Sequence, residues 1–186
     1  GRIHIVEPEL DALVRAAVAA GTLRAVPQPV PARTYLLCVP TPITPDHRPD
    51  LSYVEAAARA IVPVLQPGAL VVLESTVPPG TLRDLVAPIV CDSLRGGGLV
   101  PGRDIFLAHA PERVLPGAVL REVVENERIV GGLTDACTNR CAEFYEGFVR
   151  GTVHRASAEV AELAKLSENA FRDVNIAFAN ELANVC

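Results

Sequence analysis

The chain has 186 residues, a formal net charge of −5, 49% hydrophobic residues and 21% charged residues, the make-up of a soluble globular protein. The acidic balance argues against a general nucleic-acid or anionic-membrane surface. No apolar run approaches the roughly 20 residues needed to cross a bilayer, and the opening Gly1-Arg2-Ile3-His4 has no charged-then-apolar signal layout, so no nucleic acid or membrane partner and a cytoplasmic location are expected.

Apolar β-rich runs alternate with helical patterns along the chain, which predicts an α/β fold of parallel strands joined by crossover helices. A helix is expected over 8–20, then a strand over 35–39. A second helix over 51–65, with Asp50 as N-cap, leads to a strand over 70–74; a third over 81–89 leads to a strand over 105–109. Pro8 and Pro79 suit first-turn positions. The glycine-rich excursion at 95–102 lacks the strand before and helix after that a dinucleotide-binding turn requires, so it reads as a surface loop. Further on come a strand over 127–130, a helix over 134–148, a short strand over 152–155 and a long helix over 157–183. Length allows one core and an extending helix, divided here into 1–155 and 156–186.

The five cysteines, Cys38, Cys91, Cys137, Cys141 and Cys186, are odd in number and irregular in spacing. Without a CxxC pair they indicate neither a disulfide framework nor a metal site, and Cys137 and Cys141 read as buried thiols on one helix face. The absence of methionine reads as a piece of a longer chain.

Each clear strand ends in a proline-stiffened loop: Val39-Pro40-Thr41-Pro42, then Glu74-Ser75-Thr76-Val77-Pro78-Pro79-Gly80, then Ala110-Pro111-Glu112-Arg113-Val114-Leu115-Pro116-Gly117. In an open parallel sheet those three loops share one crevice at the carboxyl edge, and fixed φ angles would hold Thr41, Thr76 and Glu112 in place before a ligand arrives. The plain alternatives are hydroxyls bonding their own turns and an adjacent Glu112–Arg113 charge pair.

In the long helix, Lys165, Asn169 and Arg172 fall at i, i+4 and i+7 on one face. Glu162 and Glu168, each three residues from Lys165, offer a simple surface salt-bridge reading. Beyond them, Val174, Ile176, Ala177, Phe178 and Ala179 make the rod apolar on nearly every side, which predicts that protein wraps it.

The motifs VPTP, ESTVPPGT, APERVLPG and ENERIVGG, and above all AELAKLSENAFRDVNIAFANEL, resemble the nucleotide-sugar dehydrogenases that oxidise a sugar C6 alcohol to a carboxylate with NAD. The resemblance implies a partial Rossmann-like sheet followed by a long central helix used in homodimerisation. It also implies a glycine-rich turn upstream, a nucleophilic cysteine downstream that Cys186 is not, and no dehydrogenase activity for this stretch alone. It further implies Lys165, Asn169 and Glu112 as catalytic residues, and Arg113, Val114, Lys165, Asn169 and Arg172 as contacts to the UDP-sugar. Thr41 and Thr76 would contact NAD. The sequence PERVLPG points to UDP-N-acetyl-D-mannosamine, used in making surface polysaccharide precursors. UDP-glucose, GDP-mannose or UDP-N-acetylglucosamine, and a non-catalytic dimerisation module, remain the alternatives.

Overall fold

The computed structural model of the protein describes residues 10–92, 98–114 and 117–185. After α1 (Leu10–Ala19), three strands, β1 (Thr34–Leu37), β2 (Leu70–Leu73) and β3 (Phe106–His109), pair in parallel and in sequence order. Every residue of β2, Leu-Val-Val-Leu, is buried, as a strand covered on both faces demands. Val71 and Leu73 face a core formed with α2 (Ser52–Ile61), a π-helical turn (Leu82–Val86) and α3 (Ala87–Cys91); Leu70 and Val72 face the opposite core.

The second helix stops as α-helix at Ile61 and tightens into a 3-10 turn over Val62–Val64, because Pro63 has no N–H to continue the ladder. The third is not a plain α-helix either. Pro88 lies in the first turn of α3, and the preceding turn widens to π geometry. Asp50 lies just outside its helix, where its Oδ1 accepts the Ser52 N–H at 2.9 Å; Leu51 is the N-cap residue.

The expectation of an all-parallel sheet fails beyond β3. A short helix that the sequence pattern does not reveal, α4 (Val119–Glu125), precedes β4 (Arg128–Gly132), and β4 runs antiparallel to β3. An antiparallel neighbour needs no crossover, so the connection stays at the carboxyl edge of β3 and keeps Glu112 and Arg113 there. The helix α5 (Asp135–Glu146), capped by the Thr134 hydroxyl accepting the Cys137 N–H at 3.2 Å, covers the second face of the sheet. Cys137 and Cys141 are both buried on it, as their spacing indicates. The last strand, β5 (Val153–Ser157), pairs parallel to β4, so the boundary expected after residue 155 falls inside it. Pro8 and residues 95–97 of the glycine-rich excursion lie outside the described residues.

From β5 the chain turns directly into α6 (Ala158–Val185), and that turn requires a glycine opposite it. A Cβ on Gly131 would lie 2.1 Å from the Ser157 carbonyl oxygen and 2.9 Å from the Ala158 nitrogen. Both neighbours are backbone, so relief needs movement of the sheet or helix. Gly131→Ala is expected to cost about 2 kcal/mol, read as a lower thermal midpoint.

His109, at the end of β3, is fully buried, and neither ring nitrogen has a hydrogen-bond partner among the described residues. Burial pushes it down to about 4 from the usual 6.5. As pH falls through 6.5 the unfolded chain takes up a proton that the folded chain refuses until about pH 4. Stability conferred by the neutral ring is therefore full above pH 6.5 and declines by roughly 2–3 kcal/mol across that window. Urea unfolding at pH 7 and pH 4.5 should show this loss, and His109→Leu should remove it.

Candidate functional site

The first residues of α6 are packed into the sheet: Ala158, Ala161 and Glu162 are buried. Since β5 runs opposite to β3 and ends level with Ala108, through the pairs Ser157–Gly132 and Gly132–Ala108, α6 starts within the height of the sheet. Seven residues further, at 1.5 Å each, Lys165 has risen about 10 Å and emerges at the carboxyl edge of β1–β3. There a cleft of about 480 Å³ is lined by Thr41, Glu74, Ser75, Thr76, Glu112, Lys165 and Asn169, with Cys38, Val39 and Pro40. The ammonium of the helix and the carboxylate of the third loop thus face one space.

Lys165 also lines a second cavity of about 610 Å³, shared with Arg113, Glu122, Asn126, Glu168, Arg172 and Asn175. The simple salt-bridge reading of the Lys165 face fails. Glu162 turns inward, its two carboxylate oxygens accepting the N–H groups of Gly80 at 2.5 Å and Leu82 at 2.8 Å. Glu168 turns to Arg113. Among the described residues Lys165 has no ion-pair partner, which leaves its three donors for whatever enters the cleft.

The loops are tied to each other more than to themselves. The Thr41 hydroxyl donates to the Thr76 carbonyl at 2.8 Å, while the Ser75 hydroxyl accepts the Val39 N–H at 2.9 Å and donates to the Val39 carbonyl at 2.8 Å. Thr41 therefore locks the first loop to the second and offers the cleft only its oxygen lone pairs. Glu112 does not pair with Arg113; it accepts the N–H of Val114 within its own loop. Val114 is not among the residues that line either cavity.

Two cleft residues escape a reading of the sequence. Glu74, half-buried at the end of β2, accepts from the Tyr145 hydroxyl on α5 and from the Cys38 thiol at 3.1 Å. The surface of Cys38 is exposed overall, but its sulfur rests against this carboxylate. Burial of the sulfur, and then the bond to Glu74, push the thiol up to about 12, so it stays protonated at neutral pH. Burial likewise pushes the Tyr145 hydroxyl far above its ordinary value, with the Glu74 charge adding to it. An acidic residue ending an otherwise apolar strand, beside Ser75 and Thr76, was the available signal for Glu74.

The acceptor set fits a dinucleotide's polar groups: hydroxyl oxygens at Thr41 and Thr76 and the carboxylate of Glu74 suit the O–H and N–H donors of ribose hydroxyls and a carboxamide. The cleft also shares Cys38 and Val39 with an adjoining apolar groove of about 800 Å³ along β1. No helix among the described residues is long and apolar enough to cross a membrane. Past Glu168 every described residue of α6 is exposed: Phe171 is 73%, Val174 65% and Phe178 63% exposed. Among the described residues of the single chain, the wrapping expected from the apolar pattern is not found on this part of α6.

The chain belongs to the UDP-glucose/GDP-mannose dehydrogenase family: residues 1–149 match its NAD binding domain and residues 159–186 its central domain. It is 57% identical over 189 residues to an NDP-N-acetyl-D-galactosaminuronic acid dehydrogenase from Ralstonia nicotianae. To the UDP-N-acetyl-D-mannosamine dehydrogenase of Escherichia coli strain K12 it is 48% identical. Each match takes in 100% of this chain and 45% of the relative, so the chain spans less than half of those proteins. The UDP-N-acetyl-mannosamine dehydrogenase of Staphylococcus aureus superposes with a TM-score of 0.92 at 40% identity, over 100% of this chain and 45% of that one.

Proposed function

We propose that the protein of which this chain is part oxidises the C6 alcohol of UDP-N-acetyl-D-mannosamine to a carboxylate, in two hydride transfers to NAD. The observation that carries this reading is the shared cleft: Lys165, Asn169, Glu112, Thr41 and Thr76 all line one space at the carboxyl edge of the sheet. NAD, when bound, supplies the hydride acceptor. As the alcohol gives up its hydroxyl proton to solvent, negative charge develops on its oxygen before hydride leaves the carbon and C=O forms; the ammonium of Lys165 and the amide of Asn169 stabilise that charge as two converging donors. Glu112, fixed by the Val114 N–H, orients the water that supplies the second oxygen of the carboxylate product. Thr41 and Thr76 hold the cofactor. Arg113 and Arg172, with Val114 next in the loop, contact the sugar nucleotide, for which the planar guanidinium fork suits phosphate or acyl oxygens.

The uncovered apolar half of α6 packs against a second copy, forming a homodimer through the central helix. The part that ends with β5 acts in cofactor binding and α6 as the dimerisation helix, and the product feeds surface polysaccharide synthesis in the cytoplasm. A second reading, a nucleotide sugar of the N-acetyl-D-galactosaminuronic series, is favoured by the relative that is 57% identical. Purified full-length protein with NAD should form NADH on UDP-N-acetyl-D-mannosamine faster than on UDP-N-acetylgalactosamine or UDP-glucose. Turnover of UDP-N-acetylgalactosamine alone would select the second reading, and no NADH from any of the three would overturn both.

A further inference from the structure

The cavity of about 610 Å³ contains a charge pairing that the proposed chemistry leaves unused. Arg113 leaves the loop after β3 and reaches α6, where its Nε donates to one carboxylate oxygen of Glu168 at 3.0 Å and its Nη2 donates to the other. The partners are 55 residues apart in sequence. On its own helix Glu168 has Lys165 three residues before it and Arg172 four after it, both within the usual pairing distance. It pairs with neither, and instead holds the one cation that arrives from another element.

Two parallel N–H···O bonds fix the plane of a guanidinium as well as its position. They use two of Arg113's five donors, and the other three have no partner among the described residues. Both side chains are partly exposed, 36% and 39%, so the pair adds little to stability. Its consequence is positional. Arg113, Lys165 and Arg172 line the same cavity with Glu122 and Glu168; without the two-point bond to Glu168, repulsion from the two helix cations and side-chain entropy would release the loop arginine from this geometry.

The geometry points to Glu168 as the positioning residue for Arg113, holding its guanidinium so that the three remaining N–H donors meet an oxyanion or acyl oxygen of the sugar nucleotide. This rests on the function proposed above. Glu168 acts through Arg113, and its loss changes nothing at Lys165 or at the cofactor.

The test uses steady-state kinetics of the full-length protein with NAD and UDP-N-acetyl-D-mannosamine, with an equilibrium titration of the same nucleotide sugar alongside. Glu168→Ala should raise KM and Kd for the nucleotide sugar about tenfold, with kcat and the KM for NAD retained. Arg113→Ala should give the same rise, the double variant no further rise, and Glu168→Asp a partial recovery, because one carboxylate works through one guanidinium. An unchanged Kd in Glu168→Ala, or two losses that multiply in the double variant, would overturn the assignment while leaving the dehydrogenase reading intact. A wild-type protein that binds no nucleotide sugar would remove that reading, and this assignment with it.

Discussion

Replacing Lys165 with alanine in the full-length protein is expected to lower kcat about a hundredfold, some 3 kcal/mol of transition-state stabilisation, while Kd for NAD and for the nucleotide sugar stays nearly unchanged. The reason lies in what the ammonium lacks. Glu162 and Glu168, the acids next to it on α6, are engaged elsewhere, and Lys165 lines the cleft without an ion-pair partner among the described residues. A cation already neutralised by a carboxylate could do little for an alkoxide developing beside it; an unpaired one stabilises that charge with little reorganisation. Lys165→Arg keeps the charge but moves it, and should recover only a fraction of the rate. A Lys165→Ala variant with wild-type kcat would remove the lysine from the mechanism.

The second large effect concerns stability. Glu162→Ala should destabilise the protein by about 4 kcal/mol, since it strands two buried backbone donors, at Gly80 and Leu82, that have no water to turn to. Those N–H groups open the helical segment that follows the second loop, where the helix dipole also favours a carboxylate. Burial holds the Glu162 carboxyl above the usual carboxylate value, and the two N–H donors, with the Arg83 charge, offset part of that cost. Glu159, one turn earlier, pairs with Arg83 at the surface, and Glu159→Ala should stay within about 0.5 kcal/mol of wild type. The comparison is made by the urea midpoints of the two variants; equal midpoints would show that Glu162 does not tie α6 to the second loop. Because the same residue sets where α6 leaves the sheet, partial loss of Glu162's tie should also disturb Lys165.

Features encoded by local pattern could be read from the sequence. The apolar run at 70–73, the proline-stiffened loops and the i, i+4, i+7 stripe each follow from periodicity and backbone restriction, and each is found where expected. The sequence failed as a guide where partners lie far apart along it. Spacing alone pairs Glu162 with Lys165, because a helix neighbour is the only partner that a local rule can offer; the fold supplies two N–H groups some 80 residues away. The same holds for Glu168 with Arg113 and for Glu74 with Tyr145. The antiparallel turn into β4 was missed because α4 is short and sits between two motifs that read as continuous loop and strand.

These tertiary contacts shape the site in a definite way. The acids that local spacing would place against the cations are drawn into structural work by loops from the sheet edge, which leaves Lys165 unpaired and Arg113 fixed. Two cavities then meet at Lys165, one lined by the residues proposed to hold the cofactor and the other by those proposed to hold the sugar nucleotide.

The most direct measurement is a crystal structure of the full-length protein with NAD and UDP-N-acetyl-D-mannosamine bound. The sugar's C6 oxygen should lie within hydrogen-bond reach, about 3 Å, of the Lys165 ammonium, with the Glu112 carboxylate facing the same carbon across the cleft. A C6 carbon bound away from Lys165, with the ammonium and the Glu112 carboxylate contacting different parts of the ligand, would contradict it.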